Sequence, residues 1–236
     1  MDTMLTRMLK KDLKRNKTMN IILFLFVIIA SLFFASGLYN IVAVSNGASY
    51  FLEAGKIGDY QMIALGEDNV KETQETIDSI DVIKSYRSDE CISFSKNDVL
   101  DKDGKILEVH NVGLLQSVHE NGQVFFDHDN NEIKDVEKGK VYISHRFIAD
   151  NGTEVGDKLT FKKGDVEIEL EFAGLCKDAF LGSDFMGNPR FLVNEEDYKK
   201  FTEDEEVRHY FTMKTFLLEC DDIDKLVDSL IGVNAL

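Results

Sequence analysis

The sequence predicts an α+β protein, with one apolar N-terminal helix followed by a two-subdomain α+β domain. Three features lead there. Residues 18–52 carry no charged side chain and are dense in Ile, Leu, Phe and Val. Past them, a strand, helix and strand pattern runs from Asp59 to Tyr86, and a strand then a helix runs from Tyr210 to Ile231. Between these outer pieces the chain reads as short strands separated by glycine turns. A β-rich subdomain, residues 88–175, inserted into a split βαβ unit accounts for that order.

Residues 1–17 are read as a basic amphipathic helix on the cytoplasmic face of a membrane. Met4, Leu5, Met8, Leu9 and Leu13 recur on one side, and Arg7, Lys10, Lys11, Lys14 and Arg15 occupy the other. This segment carries +4, which leaves −20 on the remainder of a chain whose total is −16. The basic face suits anionic membrane lipid or a cytoplasmic partner.

The transmembrane helix follows over residues 18–45, with an extension to about residue 55. Its core, Ile21 to Val44, includes Phe24, Phe26, Ile29, Phe33 and Gly37. As a helix it spans roughly 36 Å, against about 30 Å of hydrocarbon. Twelve Ile, Leu, Phe and Val residues between Ile21 and Phe34 favour insertion by about 4 to 7 kcal/mol. Basic flanks stay in the cytoplasm, so the expected arrangement is a single pass of the cell membrane with residues 57–236 outside. A basic start, an apolar run and the small residues Ala35, Ser36 and Gly37 also fit a cleaved signal peptide. The run continues through Ile41, Val42 and Val44, past the about 7 to 15 residues of an ordinary signal.

In the outer domain, Asp59–Leu65 reads as a strand, Glu67–Ile80 as a helix with Val70, Ile77 and Ile80 inward, and Val82–Tyr86 as the next strand. Asp103-Gly104 marks a hairpin between Asn97–Lys102 and Lys105–Val109, and Asn121-Gly122 one between Gly113–Val118 and Gln123–Phe126. Lys163-Gly164 marks a third, between Lys158–Lys162 and Val166–Phe172. Val166, Ile168, Leu170 and Phe172 alternate with Glu167, Glu169 and Glu171, which predicts one buried and one wet face. Asn194 caps a helix over Glu195–Phe201, whose leading acids suit the helix dipole. Tyr210–Cys220 reads as a strand and Asp221–Ile231 as a helix with Ile223, Leu226, Val227 and Leu230 inward.

Composition and spacing exclude several function classes. An exterior of −20 is unsuited to nucleic acid. Cys91, Cys176 and Cys220 are an odd set in apolar contexts, read as buried thiols without a disulfide framework. Aligning Gly104 with the central glycine of a calcium loop puts Val99 and His110 where carboxylates belong. The run Asp127-His128-Asp129-Asn130-Asn131-Glu132 reads as a solvated turn, and His110, His119, His128, His145 and His209 show no metal spacing. There is no nucleophile elbow, P-loop or dinucleotide glycine run. No catalytic, metal or cofactor-binding residue is assigned, and the chain is not expected to be an enzyme.

Val141 to Phe161 (VYISHRFIADNGTEVGDKLTF) resembles the strand, short helix and Gly-Asp-x-Leu-x-Phe strand of the outer core domain in MacB/FtsX-like ABC transporter permeases, with Gly156 and Asp157 at the turn. Phe172-Ala173-Gly174-Leu175 resembles the strand that follows, and the basic N-terminus leading into a long first helix is similar as well. The resemblance implies a permease subunit that pairs with a second permease copy and with a cytoplasmic ABC ATPase. That separate ATPase binds the ATP, and its hydrolysis drives export or extraction of an amphipathic peptide, lipid or lipoprotein. It also implies three further transmembrane helices, so the chain is read as the N-terminal portion of such a permease. The alternatives are a single-pass sensor or adhesion protein with an acidic ligand-binding outer domain, and a secreted protein.

Overall fold

The computed structural model of the chain describes residues 14–119 and 121–233 together with Met4, Thr6, Met8 and Lys11. The fold is α+β, with one long apolar N-terminal helix and a β-sheet domain. The chain forms two compact units, residues 1–50 and 51–236. Met4, Thr6, Met8, Lys11, Lys14 and Arg15 are helical; Arg7 and Lys10, also placed on the basic face, lie outside the described residues. Helix α1 (Lys17–Ala54) has no buried residue and is long and apolar enough to cross a membrane. That character suits a membrane anchor or a signal sequence.

The second unit contains β1 (Tyr60–Leu65), α2 (Glu67–Asp78), β2 (Ile83–Phe94), β3 (Val99–Asp101), β4 (Gly113–Ser117), β5 (Lys140–Ser144) and α3 (His145–Asn151). It continues with β6 (Lys158–Lys163), β7 (Val166–Cys176), β8 (Arg190–Val193), α4 (Glu195–Thr202), α5 (Glu205–Phe211), β9 (Thr212–Cys220) and α6 (Ile223–Val233). Among the described residues, nine strands form one sheet in the order β1-β9-β2-β4-β8-β5-β7-β6-β3.

One end of the sheet is a split βαβ unit, because β9 inserts between β1 and β2 and runs antiparallel to both. Ala64, Ile77, Ile80, Phe216, Leu218, Leu226 and Leu230 form the apolar layer there, which seats α2 and α6. The larger core lies around Phe94, Phe147, Phe161, Phe191 and Phe201. Phe161 and Phe191 meet edge-on at 5.0 Å and Phe147 and Phe191 at 5.1 Å, an arrangement worth about 0.5 to 1.5 kcal/mol per pair beyond burial. The sheet continues unbroken through this region. Because β8 lies between β4 and β5, residue 175 marks no gap in it.

The Lys163-Gly164 hairpin forms, with Lys163 opposite Val166 and Gly164 at φ +57°. Ile168, Leu170 and Phe172 are buried while Glu167, Glu169 and Glu171 face solvent, as the alternation predicts. Asn194 caps α4 by accepting from the Glu196 N–H at 2.9 Å. The Asn121-Gly122 hairpin does not form. All five residues of β4 are buried, and both its edges are taken, by β2 (antiparallel) and β8 (parallel). That leaves no place for residues 123–126 beside it. At Asp103-Gly104 the chain turns tightly, but the returning arm makes only the Leu100–Ile106 bridge. Tyr210 and Phe211 belong to α5 rather than to the strand, and β2 runs eight residues beyond Tyr86. Cys91 and Cys176 are buried free thiols, whereas Cys220 is half-buried.

Candidate functional site

The residues singled out in the sequence fall into separate places. Ile21, Phe24, Phe26, Ile29, Phe33 and Val44 all lie exposed along α1, Phe33 at 76%. Lys11, Lys14 and Arg15 are exposed. Gly156 and Asp157 form a turn leading into β6: Gly156 adopts φ +97°, and Asp157 Oδ2 accepts from the Glu154 N–H at 2.8 Å. The Gly156 N–H donates to Phe172 O and the Phe172 N–H to Asp157 O, both at 2.8 Å. This turn is a backbone device that clips β6 to β7.

What sequence reasoning missed is a buried polar cluster at mid-sheet. Arg190 opens β8, Gln116 lies on β4 and Asp89 on β2, while Asp178 and Gln123 come from loops; each is at most 5% exposed. Arg190 Nε donates to Asp178 Oδ2 at 2.8 Å, and its Nη1 donates to Gln116 Oε1. Asp178 Oδ1 also accepts from Gln123 Nε2 at 2.5 Å and from the Phe180 N–H at 2.8 Å, and its Oδ2 accepts from the Gly182 N–H at 2.9 Å. Asp89 Oδ2 accepts from the Gln123 N–H at 2.8 Å. Burial pushes the Asp89 carboxyl above its usual range, against the pull of that N–H and of Arg190. Burial disfavours the charged form of Arg190, but Asp178 and Asp89 are among the neighbours that more than offset it and hold its pKa above the ordinary value. The cluster ties two loops to the sheet. Its signal in the sequence is charge set directly against apolar runs, as in Asp89-Glu90-Cys91-Ile92 and Arg190-Phe191-Leu192-Val193.

Ser117 Oγ lies 3.1 Å from His119 Nε2, a pairing legible only as Ser-x-His. Ser117 is 1% exposed, which shields the hydroxyl from any substrate. Asp127 Oδ1 accepts from the N–H groups of Asp129 and Asn131, so that acidic run is an Asx-type turn. Among the described residues, no three His, Cys, Asp or Glu side chains are grouped to hold a metal ion.

Open grooves remain, two of them at the β1-β9-β2 end of the sheet. One, of about 790 Å³, is rimmed by Lys56, Asp59, Lys84, Arg87, Glu219 and Asp221. Four of its charges pair with each other, Lys84 with Asp221 and Arg87 with Glu219. The other, of about 490 Å³, runs the full length of β1 and is bounded by Asn69, Glu72, Thr73 and Thr76 of α2 and by Leu230 of α6.

No protein-family model matches the chain, and no curated protein matches it. Among solved structures, it is similar to a crystal structure described as "Putative Lipoprotein from Bacillus anthracis", at a TM-score of 0.36 and 8% identity. The match covers 73% of this chain and 90% of that one.

Proposed function

We propose that the chain is the N-terminal portion of a MacB/FtsX-like ABC transporter permease. In this reading α1 crosses the cell membrane with its basic end in the cytoplasm, and the sheet domain works on the outer side. A separate cytoplasmic ATPase binds and hydrolyses ATP, a second permease copy completes the assembly, and an amphipathic peptide, lipid or lipoprotein is extracted or exported. The observation that carries the reading is the order of elements: an apolar helix of 38 residues, then a split βαβ unit, then the strand, helix and Gly-Asp turn over Val141–Phe161. The finer division of the domain into two subdomains is supported by the separation of two of its apolar clusters, one under α2 and α6 and one around Phe161.

The test is recovery of the tagged chain in mild detergent from its own cells. Co-purification of a P-loop ATPase, with protease access to the first 17 residues from the cytoplasmic side only, is the expected result. A chain that never retains an ATPase, or that is cut after Gly37 and released, overturns the proposal.

A further inference from the structure

The geometry points to the groove beside β1 as a docking slot for an extended, cationic polypeptide segment, which we propose adds to the sheet as a further strand. Among the described residues, β1 is an edge strand, paired on one side only, with β9. The Gly66 N–H donates to Thr212 O at 2.8 Å, and the register runs unbroken back to Tyr60–Leu218. In an antiparallel ladder this sets Tyr60, Met62 and Ala64 to exchange hydrogen bonds with β9. The N–H and C=O groups of Gln61 and Ile63, with the N–H of Leu65, therefore face the open side. The Leu65 carbonyl is already occupied, accepting from Asn69 Nδ2 at 2.7 Å.

Native sheets shield such edges with short strands, charges, proline or bulges. The opposite edge obeys, since β3 has three residues and ends in Asp101. β1 does not. Its six residues, Tyr-Gln-Met-Ile-Ala-Leu, hold no charge and no proline, and Ile63 and Leu65 are about half exposed at 49% and 50%. Alongside runs α2, whose Asn69, Glu72, Thr73 and Thr76 recur at i, i+3, i+4, i+7 and so form one stripe facing the groove. A helix lying beside a free strand edge leaves a channel of the kind used for β-strand addition, in which backbone pairing supplies affinity and alternate side chains supply selectivity.

Charge chooses the occupant. α2 carries Glu67, Asp68, Glu72, Glu75 and Asp78 against Lys71, net −4, and α6 adds −1. A second copy paired β1 to β1 about a two-fold axis would bring two α2 helices of the same negative sign together on one face of the joined sheet, which opposes association. A segment alternating apolar residues with Lys or Arg places cations against the Glu72 stripe and, on the other face of the sheet, apolar side chains against Ile63 and Leu65. The slot stands whether or not the chain is a permease half.

The test uses the full chain in detergent and a fluorescein-labelled peptide of alternating Val and Lys, about seven residues to match the ~20 Å length of β1. Saturable binding is expected by anisotropy, with none for the alternating Val and Glu counterpart. Ile63→Pro removes an outward N–H at an edge position that tolerates proline and should weaken binding about tenfold, the factor for one strong hydrogen bond. Glu72→Lys, on an exposed helix face, should weaken it roughly three- to tenfold and flatten its salt dependence. Circular dichroism confirms that each variant is folded. The proposal is overturned if the peptide binds both folded variants as it binds the parent, which is non-specific coating of an acidic surface. It is equally overturned if neither peptide binds, or if sedimentation shows a dimer that Ile63→Pro dissolves.

Discussion

Arg190 Nε lies 2.8 Å from Asp178 Oδ2, with the two side chains 3% and 0% exposed. The pair fastens the 177–189 loop to the middle of the sheet, and Arg190 also lies 5.4 Å from the centre of the Phe125 ring. Removing one partner strands the other charge in the interior, which costs about 3 to 5 kcal/mol. Arg190→Met should therefore lower stability by that amount. The double change Arg190→Met with Asp178→Asn should recover part of it. Unfolding in urea followed by tyrosine fluorescence measures both; a double variant no better than the single one would refute a charge-based cost.

Asp89 makes stability depend on pH. Its folded-state pKa is raised by burial, so between the ordinary carboxylate value of 3.8 and the raised one the folded protein binds more protons than the unfolded chain. Stability from this group is fully present below that window, falls as pH climbs through it and levels off above. Asp89→Asn keeps an acceptor for the Gln123 N–H and cannot ionise. The variant should gain on the parent in thermal unfolding midpoint as the pH rises above about 4, and a difference that does not change with pH would contradict this.

The three thiols should separate by rate. The Cys91 thiol is buried and pushed up to about 12, and burial raises Cys176 as well, whereas Cys220 is half-buried. Since the thiolate is the reactive form, a maleimide at about pH 8 should label Cys220 first. Cys91 and Cys176 should react only after unfolding. Mass spectrometry of labelled peptides reads the order.

The Cβ of an alanine at Gly122 would overlap Asp89 Oδ1. Asp89 has little room to retreat, being held by the Gln123 N–H. Gly122→Ala should cost about 1 to 3 kcal/mol, in the range of overpacking, and combining it with Asp89→Ala should remove most of the added cost. Strict additivity of the two changes would show that they do not interact.

Phe26 sits near the middle of the densest apolar stretch, Ile21 to Phe34, and is 66% exposed. An arginine at the centre of a membrane helix costs about 2.5 to 3.5 kcal/mol on insertion scales. Phe26→Arg should reduce the membrane-inserted fraction in a carbonate-extraction assay. Unchanged insertion would argue that this run does not sit in hydrocarbon.

Local pattern determined much of this protein by itself. The apolar length of α1, the period-two alternation of β7, the Asn194 cap and the Lys163-Gly164 hairpin are all near-neighbour effects, and each is legible because the side chains that decide it lie within a few residues. The order of the outer elements likewise foretold the split βαβ unit. Tertiary structure decided what depends on distant partners. The Asn121-Gly122 turn carried the same local signal as the hairpin that forms, yet both edges of β4 were claimed by β2 and β8, and Gln123 was drawn to Asp89 and Asp178. The polar cluster joins residues 27 to 101 positions from Asp89, and no short-range spacing encodes that meeting. The open edge of β1 is a property of the sheet's strand order, because a strand reads the same from its own sequence whether or not a neighbour covers its second side.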